Sequence, residues 1–168
     1  MNLKKSSSLI FCFFLVSFVF AQKSSKVTVN DLKPLIGKWQ GSLTYLDYSS
    51  GKPFTMPANI DIEQQGTSKS FLFIHSYPKE PKANSTDTIT LSRNGRMFDG
   101  SSVKSKRVLN DGSTEIVTEI LKTDGNENKP AILRHTYIIG PKVYSNRKDV
   151  QFTGQTNWIM RNEYKYTR

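Results

Sequence analysis

The carboxylates Asp61 and Glu63 have the spacing of a hydrolytic acid pair. Alternate residues of a strand lie about 6.6 Å apart on one face, within the range that paired-carboxylate hydrolases use. Ile60 and Ile62 alternate with them, however, and are expected to occupy the buried face of the strand, so the carboxylates are expected to face water. The chain also has no Gly-x-Ser-x-Gly motif and no glycine-rich phosphate loop. We therefore predict no catalytic residues and no enzymatic activity.

The two histidines, His75 and His135, are the candidates for metal or haem chemistry. His75 follows Phe73 at a spacing of two, and His135 precedes Tyr137 at the same spacing, so each shares a strand face with an aromatic ring. A histidine in an apolar barrel mouth can be an axial haem ligand, although a packed histidine with one hydrogen bond is more common. No His-x-x-x-His spacing exists to hold zinc. The sequence thus predicts no cofactor and no metal, with haem as a lesser alternative.

The first 21 residues have the pattern of a secretory signal peptide. Lys4 and Lys5 precede an apolar run over residues 9–20, and Val19 and Ala21 occupy the two positions that a signal peptidase reads. The run is too short for a spanning helix, which needs about 20 apolar residues. Cys12 follows a bulky phenylalanine, so no lipid anchor is expected. We predict a secreted or periplasmic protein that begins at Gln22 and meets the membrane only through the signal peptide before cleavage.

The remaining chain is basic, cysteine-free and the length of one domain. The 168 residues carry 24 Lys and Arg against 14 Asp and Glu, and loss of Lys4 and Lys5 leaves a net charge of +8. Outside the cell, this charge favours anionic partners. Nucleic acid is the usual partner of a basic chain, but we expect none here because the chain is predicted to be exported. Without cysteine, stability must come from packing and hydrogen bonding. We expect a single domain that is monomeric.

Apolar and polar residues alternate with a period of two through most of residues 36–168. Only an N-terminal extension over residues 22–35 contains a helical turn, with Asn30 or Asp31 as its cap and Pro34 near its end. The dipeptides Asn94-Gly95 and Asp111-Gly112 predict tight primed turns in which both central residues have positive φ. The pattern predicts an all-β fold: a closed antiparallel up-and-down β-barrel of about 8–10 strands. Its first strand, near residues 39–46, should pair with its last, near residues 157–166.

Two short motifs resemble motifs of the calycin superfamily, which includes lipocalins and fatty-acid-binding proteins. Gly37-Lys38-Trp39 opens the first strand after the helical turn, and arginines occur on or after the last strand. The resemblance implies a lipocalin-like barrel over residues 36–168. It further implies that Trp39 closes the base of the barrel and that Arg161 or Arg168 packs across its ring, where a guanidinium gains cation–π attraction.

Aromatic and basic residues on the strands predict where a ligand binds. Arg107 and Arg134 share strand faces with apolar residues, and in fatty-acid-binding relatives such inward arginines hold the ligand carboxylate. If the two strands are shifted in register by one residue, both arginines lie on the outer face and are exposed to solvent. The predicted ligand-binding residues are Tyr45, Phe71, Phe73, Arg107, Arg134, Tyr137 and Tyr164, and Tyr166 can also point inward.

The expected function is therefore non-enzymatic binding of a small hydrophobic or amphiphilic ligand, mainly apolar and with an anionic head as one option. The alternative is a secreted or periplasmic protein-interaction or inhibitor module whose barrel is filled and whose loops bind the partner. A haem-binding barrel related to nitrobindin is the lesser alternative. A cavity inside the barrel is the observation that separates a carrier from an interaction module.

Overall fold

The computed structural model describes residues 25–47 and 50–168. The predicted signal peptide, residues 1–21, and the predicted first residue of the mature chain, Gln22, lie outside the described residues. Within them the chain is all-β apart from one short α-helix and two 3-10 turns. No helix of the described part is long and apolar enough to cross a membrane.

Ten strands follow the short helix α1, Val29–Leu32. They are β1 (Gly37–Asp47), β2 (Lys52–Gln64), β3 (Ser70–Ser76), β4 (Ser85–Thr90), β5 (Met97–Phe98), β6 (Ser101–Val108), β7 (Thr114–Asp124), β8 (Lys129–Ile139), β9 (Val143–Phe152) and β10 (Ile159–Thr167). The 3-10 turns cover Lys33–Leu35 and Pro81–Ala83.

The strands form one antiparallel sheet in the order β4-β3-β2-β1-β10-β9-β8-β7-β6-β5. β1 pairs with β10 from Gln40 opposite Thr167 to Tyr45 opposite Asn162, as barrel closure requires. The two ends of the sheet meet through a bridge between Leu91, just after β4, and Phe98 in β5. The prediction of an all-β, up-and-down antiparallel barrel is confirmed, and the barrel is nearly closed.

The predicted primed turns are wrong in detail. Asn94-Gly95 and Asp111-Gly112 each connect neighbouring strands, but only the glycine of each pair has a positive φ, +70° and +80°. Ser92 N donates to Met97 O, so four residues connect that hairpin, and Leu109 N donates to Ser113 O across a three-residue loop. In these longer loops a type I-like bend needs left-handed backbone at the glycine alone.

The N-terminal segment, Val27–Leu35, covers the base of the barrel. Thr28 caps α1 and Asp31 completes a capping box, so the predicted caps Asn30 and Asp31 are wrong. Val27, Leu32 and Leu35 are almost completely buried in the main core. Val27 N also donates to Gly95 O at 2.9 Å. The segment is therefore a packed part of the fold and not an appended extension.

Trp39 and Arg168 close the base beside this segment. The Trp39 side chain is 2% exposed, and its Nε1 donates to the Leu35 carbonyl at 2.7 Å. The Arg168 guanidinium lies 4.2 Å from the Trp39 ring centroid and donates to the carbonyls of Ile36, Pro34 and Pro141. Arg168 is thus the arginine that packs on the indole.

Arg161, the other candidate, lies elsewhere. Its Nε donates to Asp124 Oδ2 at 2.7 Å, and its guanidinium lies 5.5 Å from the Phe152 ring. Lys148 donates to the other oxygen of the same carboxylate. Burial alone would raise the pKa of Asp124, but the two cations hold it below its usual range. Arg161 therefore belongs to an ion cluster at the end of the barrel opposite Trp39.

A notch interrupts the wall between β4 and β7. β5 has two residues, and it turns into β6 through Asp99-Gly100, both with positive φ (50° and 67°), as a primed two-residue turn requires. The ladder between β6 and β7 ends at Ser102 opposite Glu119. The remainder of β7, from Ile120 to Asp124, has no neighbour on that side within the described sheet. The exposed Asp87 on β4 and Asp99 in the β5–β6 turn lie beside this notch and both line the interior cavity, so we take the notch as the mouth of the cavity.

Candidate ligand cavity

A cavity of about 330 Å3 lies inside the barrel beside the notch. Its walls come from the inner faces of β3, β8, β9 and β10, and β4 and the β5–β6 turn form its mouth. The lining residues are Phe73, His75, Asp87, Thr88, Ile89, Phe98, Asp99, His135, Tyr137, Tyr144, Asn146, Tyr164 and Tyr166. The volume falls within the range of about 300–1,000 Å3 for small-molecule pockets.

Three tyrosines form a stacked wall of the cavity. The ring centroids of Tyr144 and Tyr166 are 5.4 Å apart and those of Tyr164 and Tyr166 are 5.8 Å apart, with interplanar angles of 15° and 11°. The hydroxyl of Tyr164 is hydrogen-bonded to that of Tyr77 at 2.9 Å. Burial raises the pKa of all three phenols, so they remain neutral at physiological pH. Tyr144 and Tyr166 are almost fully buried and Tyr164 is half-buried, so this wall is a packed aromatic stack with polar residues beside it.

Two polar atoms that line or border this space have no hydrogen-bond partner. They are the hydroxyl oxygen of Tyr166 and Nδ1 of His75. Tyr166 is 2% exposed, so its hydroxyl is deeply buried. Leaving a buried donor or acceptor unsatisfied costs about 1–3 kcal/mol. A ligand with a matching polar group would recover that cost.

His75 lies between aromatic rings and a carboxylate. Its imidazole is stacked on Tyr77, with an interplanar angle of 6°, and its Nε2 lies 3.8 Å from Asp87 Oδ2. Burial lowers the pKa of His75, although the Asp87 carboxylate acts in the opposite direction. At neutral pH His75 is therefore uncharged, and it acts as a hydrogen-bonding aromatic surface.

His135 faces the cavity from β8. Its Nδ1 lies 3.1 Å from Asn146 Oδ1, and because a carbonyl oxygen only accepts, Nδ1 carries the hydrogen. Its Nε2 then keeps a lone pair that can accept a hydrogen bond. Burial lowers the pKa of His135, against the effect of the Asn146 hydrogen bond, so this ring is also neutral at physiological pH.

Asp87 and Asp99 place negative charge at the mouth. Asp87 is on the inner side of β4, opposite Phe73, and its side chain is 59% exposed. Asp99 is at the first position of the β5–β6 turn, and partial burial raises the pKa of its carboxyl, opposed by His135 and Lys122. No lysine or arginine is among the residues that line the cavity. The lining therefore carries negative charge and no fixed positive charge.

The structure brings three of the predicted ligand-binding residues together in the cavity wall: Phe73, Tyr137 and Tyr164. Phe71 is fully buried in the core below the cavity. Tyr45 packs against the core with its ring 5.6 Å from that of Phe54, and does not line the cavity. Alternation along the strands correctly predicted that these rings point inward. It does not distinguish rings that line the cavity from rings that fill the core.

The prediction that Arg107 points inward is wrong. Its side chain is 67% exposed and its Nε donates to Glu115 Oε1 at 2.6 Å. The cause is a β-bulge between Val103 and Ser105, after which Lys106, not Arg107, lies opposite the buried Ile116. The extra residue changes the face of every following side chain.

The prediction for Arg134 is wrong for a different reason. β8 alternates without interruption, with Leu133, His135 and Tyr137 on the inner face, so Arg134 must lie on the outer one. There its guanidinium donates twice to Glu119 Oε1 and lies 3.8 Å from the Trp158 ring centroid. The alternative register, with both arginines on the outside, is the one that the barrel has.

Sequence reasoning missed both carboxylates of the mouth, and each had a usable signal. Asp87 alternates with Ile89 in a short threonine-rich strand, which puts it on the same face as an apolar residue. Asp99-Gly100 is a primed-turn dipeptide of the kind that was recognised elsewhere in the chain. Tyr144 and Asn146 share an inner face in the same way.

The cavity has a nitrogen ligand for a metal but does not fit haem. His135 could offer Nε2 to an iron, yet the lining has no arginine or lysine to pair with the propionates of haem, and two carboxylates would repel them. The cavity volume is also near the lower end of the range for drug-sized ligands, and a porphyrin is a large ligand. Among the described residues, no group of three or more His, Cys, Asp or Glu side chains could hold a metal ion.

The chain is similar to solved protein structures. The crystal structure of Rv2717c from M. tuberculosis is similar over 83% of this chain and 96% of that one, with 15% sequence identity and a TM-score of 0.49. No protein-family model matches the chain, and no curated protein matches it. The function therefore has to be argued from the cavity itself.

Proposed function

We propose that the protein is an exported, non-enzymatic binding protein of the calycin type, whose barrel holds a small, mainly apolar ligand. The observation that carries the proposal is the cavity of about 330 Å3 with its stacked tyrosine wall, open to solvent at the notch. Aromatic rings contribute large apolar area with little loss of conformational entropy, as suits a small-molecule site.

Two further features support parts of this proposal. Arg168 stacked on Trp39 at the base is the arrangement that the calycin resemblance implies. The pattern of residues 1–21 supports export. An anionic head on the ligand, one of the expectations from the sequence, is not part of the proposal because Arg107 and Arg134 lie outside the barrel and the lining has no other cation.

The test is titration of the protein with N-phenyl-1-naphthylamine, a neutral fluorescent probe of suitable size. The parent should bind one probe with increased fluorescence. Asn146→Trp, which places a large ring inside the cavity, should abolish binding, because Asn146 lines the cavity wall. Thr86→Trp is the matched control, since Thr86 is exposed on the outer face of β4.

Probe binding that is lost in Asn146→Trp and kept in Thr86→Trp supports a cavity ligand. Equal binding to all three proteins, or to none of them while all three remain folded, contradicts it. The second result would favour the alternative of an interaction module whose loops bind a protein partner.

A further inference from the structure

We propose that the cavity selects an organic cation, specifically a protonated arylalkylamine, in which a short alkyl chain joins the ammonium group to an aromatic ring. This inference rests on the proposed function and adds the charge and chemical class of the ligand. The ring would stack on the Tyr144–Tyr166–Tyr164 wall, and the ammonium group would lie at the mouth near Asp87 and Asp99.

The first argument is the sign of the charge around the cavity. Both lining carboxylates lie at the mouth, and both lining histidines are neutral at physiological pH. The nearest cations do not reverse this balance. Lys148, opposite His135 on β9, donates to Asp124 at 2.9 Å, and Lys122 lies on β7 outside the lining and only partly offsets Asp99. An anionic ligand would meet repulsion and no partner.

The second argument is that the two mouth carboxylates have only weak partners or none among the described residues. The Asp99 side chain has no hydrogen bond or ion pair with any described residue, and Asp87 has only the 3.8 Å approach of a neutral His75 and a long hydrogen bond from Ser85. Elsewhere on this basic protein most carboxylates are engaged, as Glu115 is by Arg107, Glu119 by Arg134 and Asp124 by Arg161. The two mouth carboxylates are therefore available to pair with a cationic ligand.

The third argument is the cavity wall. Stacked tyrosine rings form this wall, and an aromatic ligand ring would gain apolar area and favourable ring–ring contact there while the ammonium group stays at the mouth. The ligand ring would lie against the same stack. Tyr166 lines the cavity, and its buried hydroxyl has no partner in the described structure, so it is an unsatisfied polar group beside the ligand. Aromatic surface, an unsatisfied hydroxyl and mouth carboxylates together match an arylalkylamine such as tryptamine.

The experiment compares three probes of nearly equal size and different charge: tryptamine, tryptophol and indole-3-propionate. Isothermal titration calorimetry at low ionic strength should give a Kd for tryptamine about tenfold or more below that for tryptophol. A tenfold change in Kd is about the contribution of one hydrogen bond to a charged group. Indole-3-propionate should bind more weakly than either. Added salt should bring the Kd of tryptamine closer to that of tryptophol, because salt screens the attraction between the ammonium group and the exposed carboxylates.

The variant that tests the mechanism is Asp87→Asn with Asp99→Asn. Asparagine keeps the shape of each side chain and tolerates the left-handed backbone at position 99. The double variant should lose the preference for tryptamine and bind tryptophol within about twofold of the parent. Glu127→Gln is the matched control, because Glu127 is an exposed acid paired with Lys129 away from the cavity.

The outcomes separate this inference from the proposal on which it rests. If N-phenyl-1-naphthylamine binds in the cavity but tryptamine binds no tighter than tryptophol, the ligand is not selected as a cation, and the carrier function stands. A preference for tryptamine that survives the double variant also overturns the inference. If neither the naphthylamine nor any indole binds, the carrier function itself fails.

Discussion

Arg168 and Trp39 join the two ends of the barrel domain through one stacked contact. The guanidinium covers the indole face and donates to three carbonyls, two of them in the segment that leads into β1. Arginine suits this position because its planar fork can stack and donate in several directions at once, which a lysine ammonium cannot do. The contact therefore fixes the chain terminus against the base.

We predict that Arg168→Met lowers the free energy of unfolding by about 2 kcal/mol, since it removes the charged hydrogen bonds and the cation–π contact. Trp39→Ala should cost about 3–5 kcal/mol, as for other buried aromatic truncations. Arg107→Met is the control, because its exposed ion pair is worth at most about 1 kcal/mol. Urea denaturation measures all three, and equal midpoints for Arg168→Met and Arg107→Met would contradict the assignment.

Unbroken alternation was necessary to predict residue positions but was not sufficient, since Arg134 lies on the outer face of the uninterrupted strand β8. Alternation correctly predicted that Phe73, Tyr137 and Tyr164 point inward, because apolar and polar residues alternate in an antiparallel strand with one buried face. It failed at Arg107, since the bulge after Val103 has no glycine or proline to mark it. It could not choose between Arg161 and Arg168 either, because the contact to Trp39 is decided by where β10 ends against the base.

The short strand β5 and the N-terminal segment are the elements that shape the interior. β5 contributes Phe98 to the core and then turns at Asp99-Gly100, which leaves the notch and positions one carboxylate at the mouth. The N-terminal segment covers the opposite end and is tied to β6 by the ion pair of Lys106 with Asp31, 2.9 Å long. One end of the barrel is closed and its side is open.

Gly95→Ala tests the docking of the N-terminal segment. Gly95 has φ +70°, and an added Cβ would overlap the carbonyl oxygen of Val27. Gly66 has a similar φ of +59° with open space around it, so Gly66→Ala should cost only the backbone strain, about 1–2 kcal/mol. We expect Gly95→Ala to cost clearly more and to increase amide hydrogen exchange in residues 27–35. Equal costs and unchanged exchange would show that the segment is not held at Gly95.

The strands and their antiparallel order were more predictable from the sequence than the lengths of the short strands and the turns between them. Period-two alternation and frequent turn residues predicted the antiparallel barrel and the pairing of β1 with β10, because closing is the simplest way for a meander to hide its edges. The notch was not foreseen, since it depends on β5 being two residues long, and a strand that short has no periodicity to read. The predicted cap of α1 was two or three residues too late, because a four-residue helix is also too short to show a periodicity.

The whole molecule combines a basic chain with an acidic cavity mouth. The net charge of +10 for the full sequence repels cations at long range, so electrostatic steering does not favour an organic cation. Any preference for one must come from short-range contacts at Asp87, Asp99 and the tyrosine wall. The selectivity is therefore expected in the dissociation rate more than in the association rate.

The central claim is that the barrel carries a small molecule in its cavity, and native mass spectrometry tests it most directly. The protein should be isolated from the cells that produce it, beside the Asn146→Trp variant prepared in the same way. The account predicts that the parent has an added non-peptide mass, released on denaturation, which the cavity-filled variant lacks. A parent with the bare polypeptide mass in every preparation, or the same adduct on both proteins, would contradict it.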